Sequence, residues 1–178
     1  MLKVYITDLA AFNSGVLVGK WITLPLTDQE LNTVISEVLS EGETAVDGEN
    51  HEEWFITDYE WEDIDLFSID EYENIFELSN KLEALQYLTD ENLKAVKFIL
   101  DEQFTYDIED AILRADDVTI HEDQCLVDIA YDLMEESYGI DKLPSIISSN
   151  IDYEGIASEL DMSGTYWEID NDVYEYIG

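Results

Sequence analysis

The sequence predicts an α+β fold: elongated, with a small β-sheet plus a helix at the N-terminal end, a helical middle and a mixed α/β C-terminal part. Three observations carry this reading. Strand-like alternation marks both ends of the chain, while the segments between repeat their apolar residues at the helical period. Hydrophobic residues make up 46% of the chain and aromatics 12%, which is enough to build cores. The formal net charge is −37 on 178 residues, and self-repulsion of that size favours an elongated body over a sphere.

Element by element, Val4 to Leu9 alternates as a strand, Asn13-Ser14-Gly15 turns, and Val16 to Leu24 is a β-rich run closed by Pro25, together a hairpin. Thr27-Asp28-Gln29-Glu30 has capping-box spacing, and Leu31, Val34, Ile35, Val38 and Leu39 follow at the steps of an amphipathic helix. Glu41 to Glu53 is polar, contains Gly42 and Gly48, and reads as a loop. Trp54 to Glu60 then completes a three-stranded sheet, and 61–69 is a connection.

Ser68-Ile69-Asp70-Glu71 is a second capping box, expected to open a helix with Ile75, Phe76, Leu78, Leu82 and Leu85 inward. Thr89-Asp90 caps a further helix to about Phe104, with Leu93, Val96, Leu100 and Phe104 on its buried side. A short helix over Asp107 to Arg114 buries Ile108, Ala111, Ile112 and Ala115, and Val118 to Ile120 is a strand. Leu126, Ile129, Ala130 and Leu133 form another helical stripe, ended by Gly139 and followed by Pro144. A helix around Asp152 to Leu160 precedes a closing hairpin, Thr165 to Ile169 with Val173 to Ile177, across Asp170-Asn171. The expected domains are 1–61, sheet plus helix; 62–104, helical; and 105–178, α+β with the dimer interface.

Acidity is distributed over all three parts. Residues 1–61 hold 12 acids and 2 bases, 62–104 hold 12 and 3, and 105–178 hold 20 and 2. No Lys or Arg occurs between Lys20 and Lys81, where 18 Asp and Glu do. A compact chain of this length is roughly 40 Å across, a span over which duplex DNA carries roughly 24 charges. The protein matches or exceeds DNA in gross charge per length. Solubility alone does not call for this, since a net charge of about 2 to 8 suffices for a small domain.

Several function classes fit poorly. The start, Met1 to Asp8, lacks a secretory h-region, and no stretch approaches membrane-spanning length, so a cytoplasmic protein without membrane contact is expected. A single cysteine, Cys125, forbids an internal disulfide and offers no metal-ligand spacing; it reads as a small core residue. His51 and His121 have no second His, Cys pair or nucleophile elbow near them, and each reads as a surface or satisfied core residue. Gly15-Val16-Leu17-Val18-Gly19-Lys20-Trp21 has three residues between its glycines where a phosphate loop needs four, and Trp where it needs Ser or Thr. Asp170-Asn171-Asp172 lacks the glycine of a calcium loop. No catalytic residue, metal or cofactor is expected. An acidic protein binding calcium weakly, or a halophilic one, shares the composition, although 19 isoleucines suggest an ordinary core.

Rows of carboxylates recur at helical pitch. Asp128, Asp132 and Glu136 lie at four-residue steps with Glu135 beside them, and Glu73 and Glu77 repeat the spacing, flanked by Asp70 and Glu71. Such rows resemble the phosphates of a nucleic-acid backbone in spacing. Solvated helix faces would look the same one at a time, but here the pattern is present throughout the chain.

Val4-Tyr5-Ile6-Thr7-Asp8-Leu9 followed by Asn13-Ser14-Gly15-Val16-Leu17-Val18-Gly19-Lys20-Trp21-Ile22-Thr23-Leu24-Pro25 resembles the start of the ArdA antirestriction proteins of conjugative plasmids and transposons. Ile56-Thr57-Asp58-Tyr59-Glu60, Ile151-Asp152-Tyr153 and Leu160-Asp161-Met162-Ser163-Gly164-Thr165 follow in the order of that family, so the resemblance runs nearly the full chain. It implies a three-part, elongated homodimer joined through its C-terminal part, not an enzyme, whose carboxylates imitate DNA phosphates. The implied partners are the specificity and modification subunits of type I restriction-modification enzymes, whose DNA groove it occupies without binding nucleic acid itself. Methylation could be blocked along with cleavage, and another DNA-binding defence protein is the alternative target. The 41–53 loop is longer than the resemblance implies.

The resemblance carries Asp58, Glu60, Asp152 and Asp161 over as phosphate-mimicking acids. Spacing alone adds Glu62, Asp63, Asp65, Asp70, Glu71, Glu73, Glu77, Asp107, Asp110, Asp116, Asp117, Asp128, Asp132, Glu135 and Glu136. Ile146, Ile147, Ile151 and Tyr153, in or beside the acid-poor run Lys142 to Ile151, are the expected dimer interface.

Overall fold

In a computed structural model that describes residues 1–46 and 50–178, strand β1 (Leu2–Asp8) lies at the centre of an antiparallel sheet in the order β2-β1-β3. Its neighbours are β2 (Gly19–Leu24) and β3 (Trp54–Trp61), the expected three-stranded arrangement. Alternation along β1 buries Leu2, Val4 and Ile6 and leaves Lys3 and Tyr5 half-buried. Leu2 stands opposite Leu24 on one side and Trp61 on the other, with a register shift in the β3 ladder between Tyr5 and Ile6. The connection between β1 and β2 is more than a turn. The Asp8 carboxylate accepts the Ala11 N–H at 2.7 Å and so caps a short helix, α1 (Leu9–Asn13).

Helix α2 (Asp28–Ala45) starts on the expected capping box: Thr27 Oγ1 accepts the Glu30 N–H, and Glu30 Oε2 accepts the Thr27 N–H. Leu31, Ile35, Val38 and Gly42 form its buried stripe. The helix continues to Ala45, through residues expected to be loop. Glu41, Glu43 and Ala45 are good helix formers, and Gly42 sits where the helix passes the side chains of Asp8 and His51. There, His51 Nδ1 lies 2.6 Å from Asp8 Oδ2, with both side chains almost wholly buried. The His51 N–H donates to Glu43 Oε1 at 3.1 Å, tying the chain back to the end of α2. His51 is thus a satisfied core histidine. The rest of the expected loop includes Asp47, Gly48 and Glu49, which lie outside the described residues.

Helix α3 (Ile75–Leu85) does not begin at the capping box expected at Ser68 to Glu71. The Ile56 N–H, on the open edge of β3, donates to the Glu71 carbonyl at 2.8 Å, and the Glu73 N–H donates to the Asp70 carbonyl at 3.1 Å, so the segment is a turn held against the sheet edge. Asn74 caps the helix instead, its Oδ1 accepting from Phe76 and Glu77. Glu73 consequently precedes the helix, and the expected helical row Glu73–Glu77 does not exist. Ile75, Leu78, Leu82 and Leu85 are buried as expected, whereas Phe76 is half-buried.

Helix α4 (Asp90–Asp101) is capped by Thr89 but buries Ala95, Val96, Phe98 and Ile99, leaving Leu93 and Leu100 half-buried. It stops short of Phe104 because Gln103 adopts φ 59°, which turns Phe104 back to within 5.8 Å of the Phe98 ring. Ser79 both donates to the Leu26 carbonyl and accepts the Leu26 N–H, each at 2.7 Å, fixing α3 to the segment before α2.

Two compact units result, Met1–Ile112 and Leu113–Gly178, with the boundary inside α5 (Ile108–Arg114). In the second unit, β4 (Val118–His121), β5 (Tyr166–Ile169) and β6 (Asp172–Tyr176) form an antiparallel sheet in the order β4-β6-β5, including the expected closing hairpin. Against it pack α6 (Leu126–Tyr138) and α8 (Tyr153–Asp161) around Leu126, Ile129, Ala130, Ala157 and Val173. Gly139, at φ 63°, ends α6. The short helix α7 (Ser145–Ser148) was not expected from the sequence. Burial, reinforced by a hydrogen bond to Glu175, pushes the Tyr166 hydroxyl up to about 12.

Gly42→Ala tests the close approach of α2 to the Asp8–His51 pair. A Cβ there would overlap the Asp8 carboxylate and stand 2.8 Å from His51 Nδ1. Urea unfolding should show a loss of about 2 kcal/mol or more, within the usual cost of overpacking. Ser40→Ala, on the exposed face of the same helix, should stay within about 0.5 kcal/mol of the parent.

Candidate functional site

Of 44 Asp and Glu in the chain, Asp8 is the one that is buried among the described residues. The other described acids are exposed or half-buried, and seven Lys and Arg can neutralise only a minority of them. The surface is therefore an array of charged acceptors with few donors of its own.

Each element positions its acids for a local reason. Asp58 and Glu60 stand on β3, where Thr57 to Glu60 are exposed because the strand is at the sheet edge. Asp65, Asp70, Glu71 and Glu77 are exposed around α3, and Glu73 is half-buried. Asp107, Asp116 and Asp117 are exposed at the two ends of α5, and Asp110 is half-buried within it. Asp128, Asp132 and Glu136 are exposed along α6 as expected, while its Leu126, Ile129 and Ala130 are buried, and Asp152 and Asp161 mark the two ends of α8.

Several of these carboxylates also hold the fold together. Glu62 pairs with Lys3 at 2.9 Å, and Asp63 with the terminal ammonium at 3.1 Å. Asp152 caps α8 by accepting the Gly155 N–H. Glu135, half-buried, accepts the Ile140 N–H at 2.7 Å beyond the end of α6. Asp128 accepts the Cys125 N–H at 3.0 Å and the thiol at 3.1 Å, and these hydrogen bonds hold its carboxyl below the usual aspartate value. Cys125 is accordingly the half-exposed residue that starts α6, not a core residue.

The expected dimer residues divide. Ile146 and Ile147, on α7, are exposed at 76% and 51%. Ile151 is half-buried, and Tyr153 is turned into its own unit, packed on the α6–α8 core with its ring 5.6 Å from that of Tyr131.

Two of the acids singled out from sequence, Glu71 and Glu73, belong to a feature that the sequence did not suggest. A groove of about 590 Å³ runs between the start of β3 and the segment leading into α3, lined by Trp54, Tyr72 and Phe76 together with Glu52, Glu53, Glu71 and Glu73. It is assembled from segments about twenty residues apart, joined by the Ile56–Glu71 hydrogen bond. The only trace in the sequence is the acid–aromatic clustering of Glu52-Glu53-Trp54 and Glu71-Tyr72-Glu73.

Among the described residues no three His, Cys, Asp or Glu side chains converge to hold a metal ion, and no helix is long and apolar enough to cross a membrane. The chemistry on offer is the acceptance of charge-assisted hydrogen bonds from cationic groups. Fold and surface together define an acidic α+β protein. The family model of the ArdA antirestriction proteins matches residues 4–175, and the chain belongs to that family. Membership implies an antirestriction role directed at restriction-modification enzymes. No curated protein matches the chain significantly.

The two roles of acids on α6 can be separated. Asp128→Ala should lower the thermal midpoint at neutral pH, whereas Asp132→Asn should leave it unchanged or raise it by relieving repulsion. A depressed carboxyl contributes stability above its unfolded-state value of 3.8 and loses it as pH falls through the lower folded-state value. The midpoint gap between wild type and Asp128→Ala should therefore close across that acid range, as followed by circular dichroism.

Proposed function

We propose that the protein is a non-catalytic DNA mimic that competes with DNA for the binding groove of type I restriction-modification enzymes. The observation that carries this reading is the near-total surface placement of its acids, with Asp8 alone buried among those described. Specific DNA-binding proteins take their position from phosphate contacts and their specificity from base contacts. A ligand that offers only charge and shape would engage enzymes with different target sequences, block methylation as well as cleavage, and contain no bond to cut or base to methylate. Asp58, Glu60, Asp65, Asp70, Glu77, Asp116, Asp117, Asp132, Glu136 and Asp161 are the best placed to act, being exposed and outside the capping and terminal pairs described above, whereas Asp107 also accepts the Glu109 N–H at the start of α5. The same proposal keeps the division of the chain into three domains, 1–61, 62–104 and 105–178.

Binding should then be the sum of many screened contacts, each contributing about 0–1 kcal/mol. Asp132→Asn alone should barely change the affinity for a type I methyltransferase. Neutralising Asp116, Asp117, Asp132, Glu136 and Asp161 together should weaken it by about 3 kcal/mol on that scale and flatten its salt dependence, as fewer ions are released on association. Loss of all inhibition from one such substitution, in a protein with normal circular dichroism, would replace the distributed mechanism with a single site.

A homodimer is part of the same proposal, and the exposed pair Ile146–Ile147 supports placing its interface at α7. Two chains of −37 need apolar contact to associate. Light scattering at moderate salt should give twice the monomer mass, and Ile146→Asp with Ile147→Asp should halve it. An unchanged mass in the double variant would move the interface elsewhere.

A further inference from the structure

We propose that the groove between β3 and α3 is a receptor for an arginine side chain of the partner protein, a contact that a DNA phosphate cannot make. This rests on the reading of the protein as a ligand for a cationic groove, and adds to it one contact of defined geometry. Four carboxylates border the groove, those of Glu52, Glu53, Glu71 and Glu73, and none is paired with a cation among the described residues. Its lining includes no Lys or Arg. Such a cavity is complementary to a cation.

The aromatic lining narrows the class of cation. Tyr72 is 71% exposed although it is a large ring; the Phe55 ring lies 6.1 Å from it with 23° between planes, and Phe12 meets Phe55 edge-on at 5.3 Å. Its backbone neighbour Glu71 is fixed to β3 through the Ile56 N–H. An exposed ring lying beside Phe55 and next to carboxylates suits a planar group that stacks and donates hydrogen bonds sideways. A guanidinium does both: it is weakly hydrated, it lies flat on aromatic faces, and its fork pairs with a carboxylate. A lysine ammonium is compact, strongly hydrated and lacks the fork. A volume of about 590 Å³ admits an arginine side chain with its aliphatic stem along Trp54 and Phe76.

The test uses the full-length protein and N-acetyl-arginine amide as probe, read by NMR of the aromatic rings at moderate salt. Saturable shifts are expected at Tyr72 and Trp54 but not at Tyr87 or Tyr106, which are exposed at 81% and 82% and lie outside this groove. N-acetyl-lysine amide should bind several-fold more weakly. Tyr72→Leu keeps charge and apolar bulk and should abolish the response; Tyr72→Trp should preserve it, indole being the best cation–π partner. Equal shifts at Tyr87 and Tyr106, or an undiminished Trp54 response in Tyr72→Leu, would overturn the proposal.

A second arm measures displacement of DNA from a type I methyltransferase. Tyr72→Leu should raise the concentration required by about tenfold, in line with a desolvated cation–π contact, with the salt slope unchanged. Displacement equal to wild type would show that the partner does not use the groove and would overturn its role as the receptor. If arginine fills the groove but wild type displaces no DNA, the groove stands as an arginine receptor and the DNA-mimic reading fails.

Discussion

Electrostatic self-repulsion is the constraint on which this structure depends, and the fold meets it by confining carboxylates to water. Like charges at four-residue steps on a solvated helix cost about 0.2–0.5 kcal/mol per pair, while burying one Leu or Ile side chain contributes about 1.5–3 kcal/mol. A helix can therefore carry a full acidic row if its opposite face buries two or three apolar residues. The helix α6 does this, burying Leu126, Ile129 and Ala130 while Asp128, Asp132 and Glu136 stay exposed. Repulsion remains, but it is spread over short helices that are each anchored separately.

Asp8 is the exception that shows the rule's cost. A buried carboxylate is tolerated only when its oxygens are satisfied, and here one accepts the Ala11 N–H while the other meets His51. Three segments converge on that carboxylate: α1 begins on it, His51 approaches from the segment before β3, and α2 passes close enough to require Gly42. Both exceptional features of this region, the glycine within a helix and the histidine in the core, have the same cause.

Most of the fold was legible because it rests on local patterns. The capping box at Thr27, the apolar stripe from Leu31 to Val38, Gly139 after α6 and the hairpin across Asp170-Asn171 each signal themselves within a few residues. The failures have tertiary causes. Ser68 to Glu71 had the right spacing for a cap, but the free edge of β3 took the Glu71 carbonyl, moving the start of α3 to Asn74. The end of α2 was missed because Gly42 reads locally as a breaker. The candidate acids were legible only as residue types at helical spacing, and Glu73, Asp110 and Glu135 among them are half-buried. The capping duties of Asp128, Glu135 and Asp152 depend on backbone geometry at helix ends, and the groove around Tyr72 arises only when distant segments meet.

The central claim is that this surface stands in for DNA. It is tested most directly by titrating the protein into a type I methyltransferase core already bound to labelled duplex, with the naked duplex as control. The account predicts release of the DNA at a near-equimolar ratio and no retardation of naked duplex. Persistence of the enzyme–DNA complex in large excess of the protein, or binding of the protein to the duplex itself, would contradict it.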